Sequence, residues 1–372
     1  ATGTTGGNSG LKVYGNTINN INQGIVIVGP TAIADANTGI DVGGSSAPQG
    51  NIITNYGTTG TFSGYANVSG TVNGILIRNS NGFNCSYNTV TSSVGGVTAG
   101  TLNGIQVPAS SSVPTATFTN NITFNSISLK SGLATGAMNG INYPSGSASA
   151  TSIVNINNND FNNWGHTVAA SGAIVYILST SLNLTTSISN NTFTNMSVNT
   201  TGSVTFISHS FTMPASGSKT INNNSVVTGF AKTGAGGTVT FSTTGASSPN
   251  TSSYTFTNNN FSNITLTGAT VLTGENNTDG AGTAPTKTIT GNTFSNWTGG
   301  TSAITGMSYT YWNGATSTVN TNTITNITGQ AAITGINIGN SFAGANPLAI
   351  SNNTINNLSS TGTGGAVTGI TC

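Results

Sequence analysis

One nine-residue phrase constrains this chain more than any other feature. "ISNNTFTNM" from Ile188 reads as Φ-x-x-N-x-Φ-x-N-Φ, where Φ is apolar, and close copies recur along the whole sequence. The first asparagine of the phrase falls at Asn16, Asn51, Asn88, Asn121, Asn159, Asn191, Asn224, Asn259, Asn292, Asn322 and Asn353. The mean step is about 34 residues, in the range of solenoid and other repeat architectures. Matches are close from Asn159 onward. Around Asn121 the phrase "FTNNITFNSI" needs one inserted residue, and at Asn88 and Asn224 the second asparagine is replaced by Ser92 and Thr228. A second phrase follows most anchors: "NGILI" from Asn73, "NGIQV" from Asn103, "NGINY" from Asn139, "AIVYI" from Ala173, "VTFIS" from Val204, "AITGM" from Ala303 and "AITGI" from Ala332.

Each beat contains short runs of alternating apolar residues, as in "TKTIT" and "SAITGM", separated by Gly, Asn and Ser. That pattern predicts strands and turns. The i, i+3, i+4, i+7 spacing of an amphipathic helix is missing. A run this short cannot bury its apolar face alone, but it can when stacked about 4.8 Å from its own copy. Equivalent phrases run in the same chain direction, so the stacking is parallel. The expected fold is an all-β parallel β-helix (β-solenoid) of about 11 coils, about 34 residues and roughly three strands per coil, forming one repeat domain over 1–372 and about 50 Å long. The closing "AVTGITC" stops in mid-pattern, which predicts a longer array.

The paired asparagines fit this fold. Ile188 and Phe193 are five apart and out of phase, so a bend between them is needed if both are to point inward. Asn tolerates the left-handed conformation of such corners. Stacked Asn side chains also hydrogen-bond to their copies above and below, so the eleven anchors are expected to form a ladder, with the second Asn, such as Asn195, doing the same at the next corner.

Charge is nearly absent: 3% of residues, against about 25% in a typical soluble domain. The cations are Lys12, Arg78, Lys130, Lys219, Lys232 and Lys287; the anions are Asp35, Asp41, Asp160, Glu275 and Asp279. A net charge of +1 leaves no basic footprint, so nucleic acid is not an expected partner. No apolar run approaches the ~18 residues of a spanning segment, so membrane insertion is not expected either. Cys85 and Cys372 give no disulfide framework and fall eight coils apart.

The phrases "ISNNTFTNM" and "AITGI" resemble the right-handed parallel β-helix repeats of large secreted bacterial proteins, most closely the Asn/Thr/Gly-rich arrays of giant cell-surface proteins of the Bacteroidota, including type IX-secreted adhesins. The resemblance covers essentially the whole chain. It implies an extracellular location at the bacterial surface and an array continuing into neighbouring repeats or domains. The same architecture also serves pectate lyases, glycoside hydrolases and tailspikes, so it does not fix an activity.

Residue chemistry weighs against catalysis. Glycoside hydrolysis takes two carboxylates about 5–9.5 Å apart. Lyases on this scaffold use a basic residue and a calcium cluster. Asp35 and Asp41 share the loop "ADANTGIDV"; an enzyme reading requires them, or Asp160, to meet in a groove. Glu275 and Asp279 share "GENNTDGAG", the nearest thing to a metal loop, though Ca²⁺ takes about six to eight oxygens. His166 and His209 are isolated and expected at the surface or in a groove. No catalytic residue, metal or cofactor is assigned. Tyr309, Tyr311 and Trp312 in "SYTYWNG" form the candidate glycan contact, with the two tyrosines on one side of a strand and Trp312 on the other. Trp164 and Trp297 share a slot with Met196 and Leu358 and are expected in the core. The reading is therefore a non-enzymatic structural or adhesive rod that contacts glycans or abiotic surfaces through neutral faces. A polysaccharide lyase or hydrolase is the alternative. An ice- or crystal-binding Thr array ("TVTF", "TATF", "TKTIT") is the third.

Overall fold

The computed structural model describes residues 7–31, 36–57, 71–93, 100–109, 117–144, 146, 149–313, 316–342 and 348–372. The chain forms two compact units, 1–186 and 187–372. Each is built from coils of three or four short strands, paired in parallel with the equivalent strands of adjacent coils. This is a parallel β-solenoid, and among the described residues no helix is long and apolar enough to cross a membrane.

In residues 1–186 one face stacks Asn84–Ser86, Thr119–Thr123 and Ile153–Asn157. A second stacks Thr17–Ile21, Ile52–Tyr56, Thr89–Ser92, Ser126–Ser128 and Asp160–Asn162. A third stacks Ile25–Val28, Val72–Arg78, Leu102–Gln106, Met138–Tyr143 and Ile174–Ser179. Residues 187–372 repeat the plan. Ser218–Asn222, Ser253–Thr257, Thr286–Thr290, Thr318–Asn320 and Ala349–Ser351 form the first face. Val204–Ser208, Thr238–Thr244, Val271–Asn277, Ile304–Trp312, Ile333–Phe342 and Val367–Thr371 form the third. Registers are one-to-one over most of these ladders, so like residues stack on like: Ile221, Phe256, Ile289, Val319 and Ile350 form one column. A strand of three to five residues is stable only in such a stack, because its backbone bonds and its apolar face are both satisfied by the neighbouring coil.

The paired asparagines divide their work. The first takes the left-handed corner: Asn158, Asn190, Asn223, Asn258 and Asn352 all have φ between 54° and 59°. The second turns inward. Asn224 donates from its backbone N and its Nδ2 to Asn259 Oδ1 (3.0 and 2.9 Å), Asn259 does the same to Asn292, and Asn292 to Asn322. The remaining Nδ2 hydrogen goes to a strand carbonyl of the preceding coil, as Asn259 Nδ2 to Ile221 O. In residues 1–186 the column runs Asn16, Asn51, Asn88, Asn125, Asn159. Asn125, not Asn121, is therefore the member in that coil. Asn121 sits on the strand Thr119–Thr123 and accepts from Asn155 (2.9 Å). The one-residue insertion expected there disappears with Asn125 as the anchor, because Phe124, at φ 58°, fills the corner slot that asparagine holds in most other coils.

The second phrase also has a packing reason. Its central position faces the opposite wall of the coil. A Cβ on Gly140 would stand 2.5 Å from Phe161 Cε1, and one on Gly274 2.6 Å from Phe294 Cε1. Where the slot holds Phe206 and Phe241 instead, the two rings pack 4.5 Å apart. The asparagines of "NGI" form a further ladder, with Asn103 donating to Asn73 and Asn139 to Asn103, each at 2.9 Å.

Candidate functional site

The sequence candidates fall in unexpected places. Tyr309 and Trp312 are fully buried, and their rings pack 5.1 Å apart in the core. The predicted alternation fails because the ladder slips between Tyr309 and Tyr311, which turns Trp312 inward and leaves Tyr311 half-buried. The three do not form an exposed aromatic platform. Trp164 and Trp297 are in the core, their Nε1 atoms donating to Ile127 O (2.9 Å) and Phe261 O (2.7 Å).

Among the acids, Asp35 lies outside the described residues. Asp41 accepts from Asn84 Nδ2 (2.7 Å), from the Gly44 N–H (3.2 Å) and from the Tyr14 hydroxyl, whose pKa it helps push up to about 12. Asp160 is on another face, bonded by Asn162 Nδ2 (2.8 Å). The two are three coils apart, about 14 Å along the stack, so they do not converge as a hydrolase pair would. His166 is half-buried, beside Ser131 in register. His209 is fully buried, neither at the surface nor in a groove, and burial holds its imidazole neutral. Cys85 is buried and Cys372 exposed, both free thiols.

Glu275 and Asp279 are not in a solvent loop. Both are fully buried, with Lys219, Lys287, His209, Tyr254 and Asn277, in a charged pocket inside the coils of residues 187–372. The register assembles it. Lys219, Tyr254 and Lys287 occupy one column of the first face, so a tyrosine separates the two ammonium groups. Glu275 occupies the inward slot of the third face that Ser242 and Met307 hold in adjacent coils.

Lys219 Nζ pairs with Asp279 Oδ2 at 3.2 Å and donates to Phe211 O at 2.6 Å. The Asp279 carboxylate also accepts from Ser248 N and Ser248 Oγ, each at 2.9 Å. Lys287 Nζ donates to Asn277 Oδ1 (2.7 Å), Asp279 O (2.9 Å) and Tyr311 O (2.6 Å). Tyr254 gives its hydroxyl proton to Glu275 Oε1 at 2.6 Å and stacks on His209. Burial is the main force on these groups. It raises the Glu275 carboxyl to about 7 and lowers the Lys219 ammonium to about 8 and that of Lys287 to about 7, the nearby opposite charges acting the other way. Glu275 Oε2 and Asn277 Nδ2 have no hydrogen-bonding partner. No group of three or more His, Cys, Asp or Glu side chains suited to a metal occurs among the described residues.

The signal for this pocket was present. Lys219, Tyr254 and Lys287 each stand five residues before an anchor, at Asn224, Asn259 and Asn292. Five before the anchor is in phase with the inward apolar residue three before it. Likewise "LTGEN" aligns with "ITGMS" and "ITGIN", which puts Glu275 in a core slot.

One surface aromatic pair, an exposed Phe124 and a half-buried Tyr87, also escaped the sequence reading. Tyr87 and Phe124 stack face to face, ring centroids 4.8 Å apart and planes within 2°. Phe124 is 47% exposed. Both have positive φ, 61° and 58°, in the corner slot where most other coils use Asn or Gly and one uses Thr321. That backbone costs a non-glycine residue about 1–2 kcal/mol. No protein-family model, curated protein or solved structure matches the chain.

Proposed function

We propose that this chain is a non-enzymatic structural and adhesive segment of an extracellular bacterial surface protein, a spacer whose neutral Asn-, Thr- and Ser-rich faces contact glycans. The observation that carries this reading is the location of the charge. Glu275 and Asp279 are sealed inside the coils, Asp279 paired with Lys219 and Glu275 held by the Tyr254 hydroxyl, where no polymeric substrate reaches them. Outward positions are largely amides and hydroxyls, whose contacts depend little on salt or pH. A shallow cleft of about 410 Å³ is lined by Asn195, Ser197, Thr228, Asn263, Thr265 and neighbours, with no ionisable side chain among them.

Tyr87 and Phe124 are the contact that this reading favours. A flat aromatic face attracts the positively polarised C–H edges of a sugar ring, and the outward side chains of Asn121 and Asn155 in adjacent coils supply amides for hydroxyl groups. The experiment is a glycan array and a polysaccharide-turnover assay on the purified chain, with Phe124→Asn as comparison. Asparagine fits the corner better than phenylalanine, so that variant keeps its fold. Glycan binding by the parent, weakened at least tenfold in the variant, is the expected result. Turnover of any polysaccharide, or binding indifferent to Phe124, overturns the proposal.

A further inference from the structure

The charged pocket holds a lysine, a carboxamide and a carboxyl group arranged for a reaction among themselves. Lys287 Nζ is 2.7 Å from Asn277 Oδ1. Glu275 and Asn277 are two apart on one strand, so both side chains point inward. All three residues are fully buried. The Asn277 carboxamide lies close enough to Glu275 to act on its carboxyl, while Asn277 Nδ2 and Glu275 Oε2 make no well-formed hydrogen bond to any other protein group. Tyr254 holds the other carboxyl oxygen, and the buried Tyr309 and Trp312 lie alongside, Tyr309 in register with Asn277 and the Trp312 ring 5.5 Å from Lys287 Nζ.

We propose that Lys287 and Asn277 join spontaneously in an intramolecular isopeptide bond, with Glu275 as the proton-transfer group. The Lys287 amine attacks Asn277 Cγ, and a new N–C bond forms. Glu275 takes a proton from the attacking nitrogen and delivers one to Nδ2. The Cγ–Nδ2 bond then breaks and ammonia leaves. One amine and one primary amide become one secondary amide and one ammonia, so the step needs no oxidant, reductant or energy source.

Three features of the pocket favour this step. Burial leaves a substantial fraction of Lys287 as the free amine near neutral pH and a substantial fraction of Glu275 as the acid, the forms the reaction uses. The carbonyl that must be attacked is already in contact with the nucleophile, which replaces a bimolecular encounter by a fixed geometry. The alternative pair is less suited. Both Asp279 oxygens are already engaged, by Lys219 and by the two Ser248 donors, which leaves that side chain no freedom to rearrange. The bond would close the segment between Asn277 and Lys287 covalently, and it does not depend on the surface contacts proposed above.

Intact mass of the purified full chain decides the matter. The expected deficit is about 17 Da, one ammonia, relative to the sequence. Protease digestion and fragmentation should then yield a branched peptide linking Lys287 to Asn277, which also separates this bond from cyclisation of an asparagine elsewhere. Glu275→Gln keeps the shape of the side chain and should restore the full sequence mass in folded protein, confirmed by its far-ultraviolet β-sheet spectrum. A parent mass equal to the sequence mass overturns the proposal whatever the variants do. So does a deficit of about 18 Da mapped to Lys219 and Asp279, the loss of water.

Discussion

The asparagine column and the charged pocket bury polar groups in the same solenoid by different means. An amide carries donor and acceptor on one group, so identical copies satisfy one another at any number of coils. Asn224, Asn259, Asn292, Asn322 and Asn353 do so without interruption. A charge cannot repeat this way, because its copy repels it. The pocket instead alternates: Tyr254 sits between Lys219 and Lys287, and Glu275 sits between Ser242 and Met307. The difference explains why amides can extend through a repeat array while buried ions stay local, confined to the few coils that supply their partners.

The sharpest way to break this comparison is to strand a charge. Lys219→Met leaves Asp279 buried without its cation and should cost about 3–5 kcal/mol, read as a fall in the urea midpoint. Adding Asp279→Leu should recover part of that loss. A single variant as stable as the parent would mean that water reaches the pocket. Asn259→Leu tests the other side. It orphans the Asn224 N–H and removes the side-chain donor to the Ile221 carbonyl, and should cost about 2–3 kcal/mol. If the column were decoration, the apolar replacement would be neutral.

pH separates the two regions without mutation. Glu275 binds its proton more tightly when folded, with its carboxyl raised from 4.5 to about 7. Its contribution is therefore complete below the unfolded value and is lost as pH rises through about 7. Lys219 is lowered from 10.5 to about 8, so the folded state binds fewer protons between those values and stability rises again across that window. Urea midpoints should pass through a shallow minimum near pH 7–8, and Glu275→Gln should flatten the acid limb. The amide column contributes nothing to this curve. A maximum near neutrality would contradict the assignment.

Much of the fold was legible because a repeat of about 34 residues with short alternating runs has few ways to bury itself. The asparagine slots were legible for the same reason, apart from Asn121, where Phe124 disguised the corner. Tyr309 and Trp312 were misread because a one-residue slip in a ladder leaves no mark in composition. The pocket was missed for a different reason. Scarce charges read as surface charges unless they are aligned on the repeat, and the Gly and Asn around Glu275 imitate a loop. Once Lys219, Tyr254 and Lys287 are placed five before their anchors, burial follows from phase alone.

The smallest effect belongs to the outer asparagines, which share the inner column's laddering but not its burial. Asn263, Asn296, Asn326 and Asn357 also form a ladder, at 2.9–3.2 Å, but they are exposed. Water replaces such bonds readily, so the side chain should matter little and the backbone should matter more. Asn296 has φ 57°. Asn296→Gly supplies that conformation without strain and should shift stability by less than about 0.5 kcal/mol. Asn296→Ala keeps a Cβ, loses the local tolerance of asparagine, and should cost about 1 kcal/mol. Equal losses for Gly and Ala would assign the energy to the exposed amides rather than to the corner. A loss from Asn296→Gly as large as that from Asn259→Leu would mean that burial is not what distinguishes the two columns.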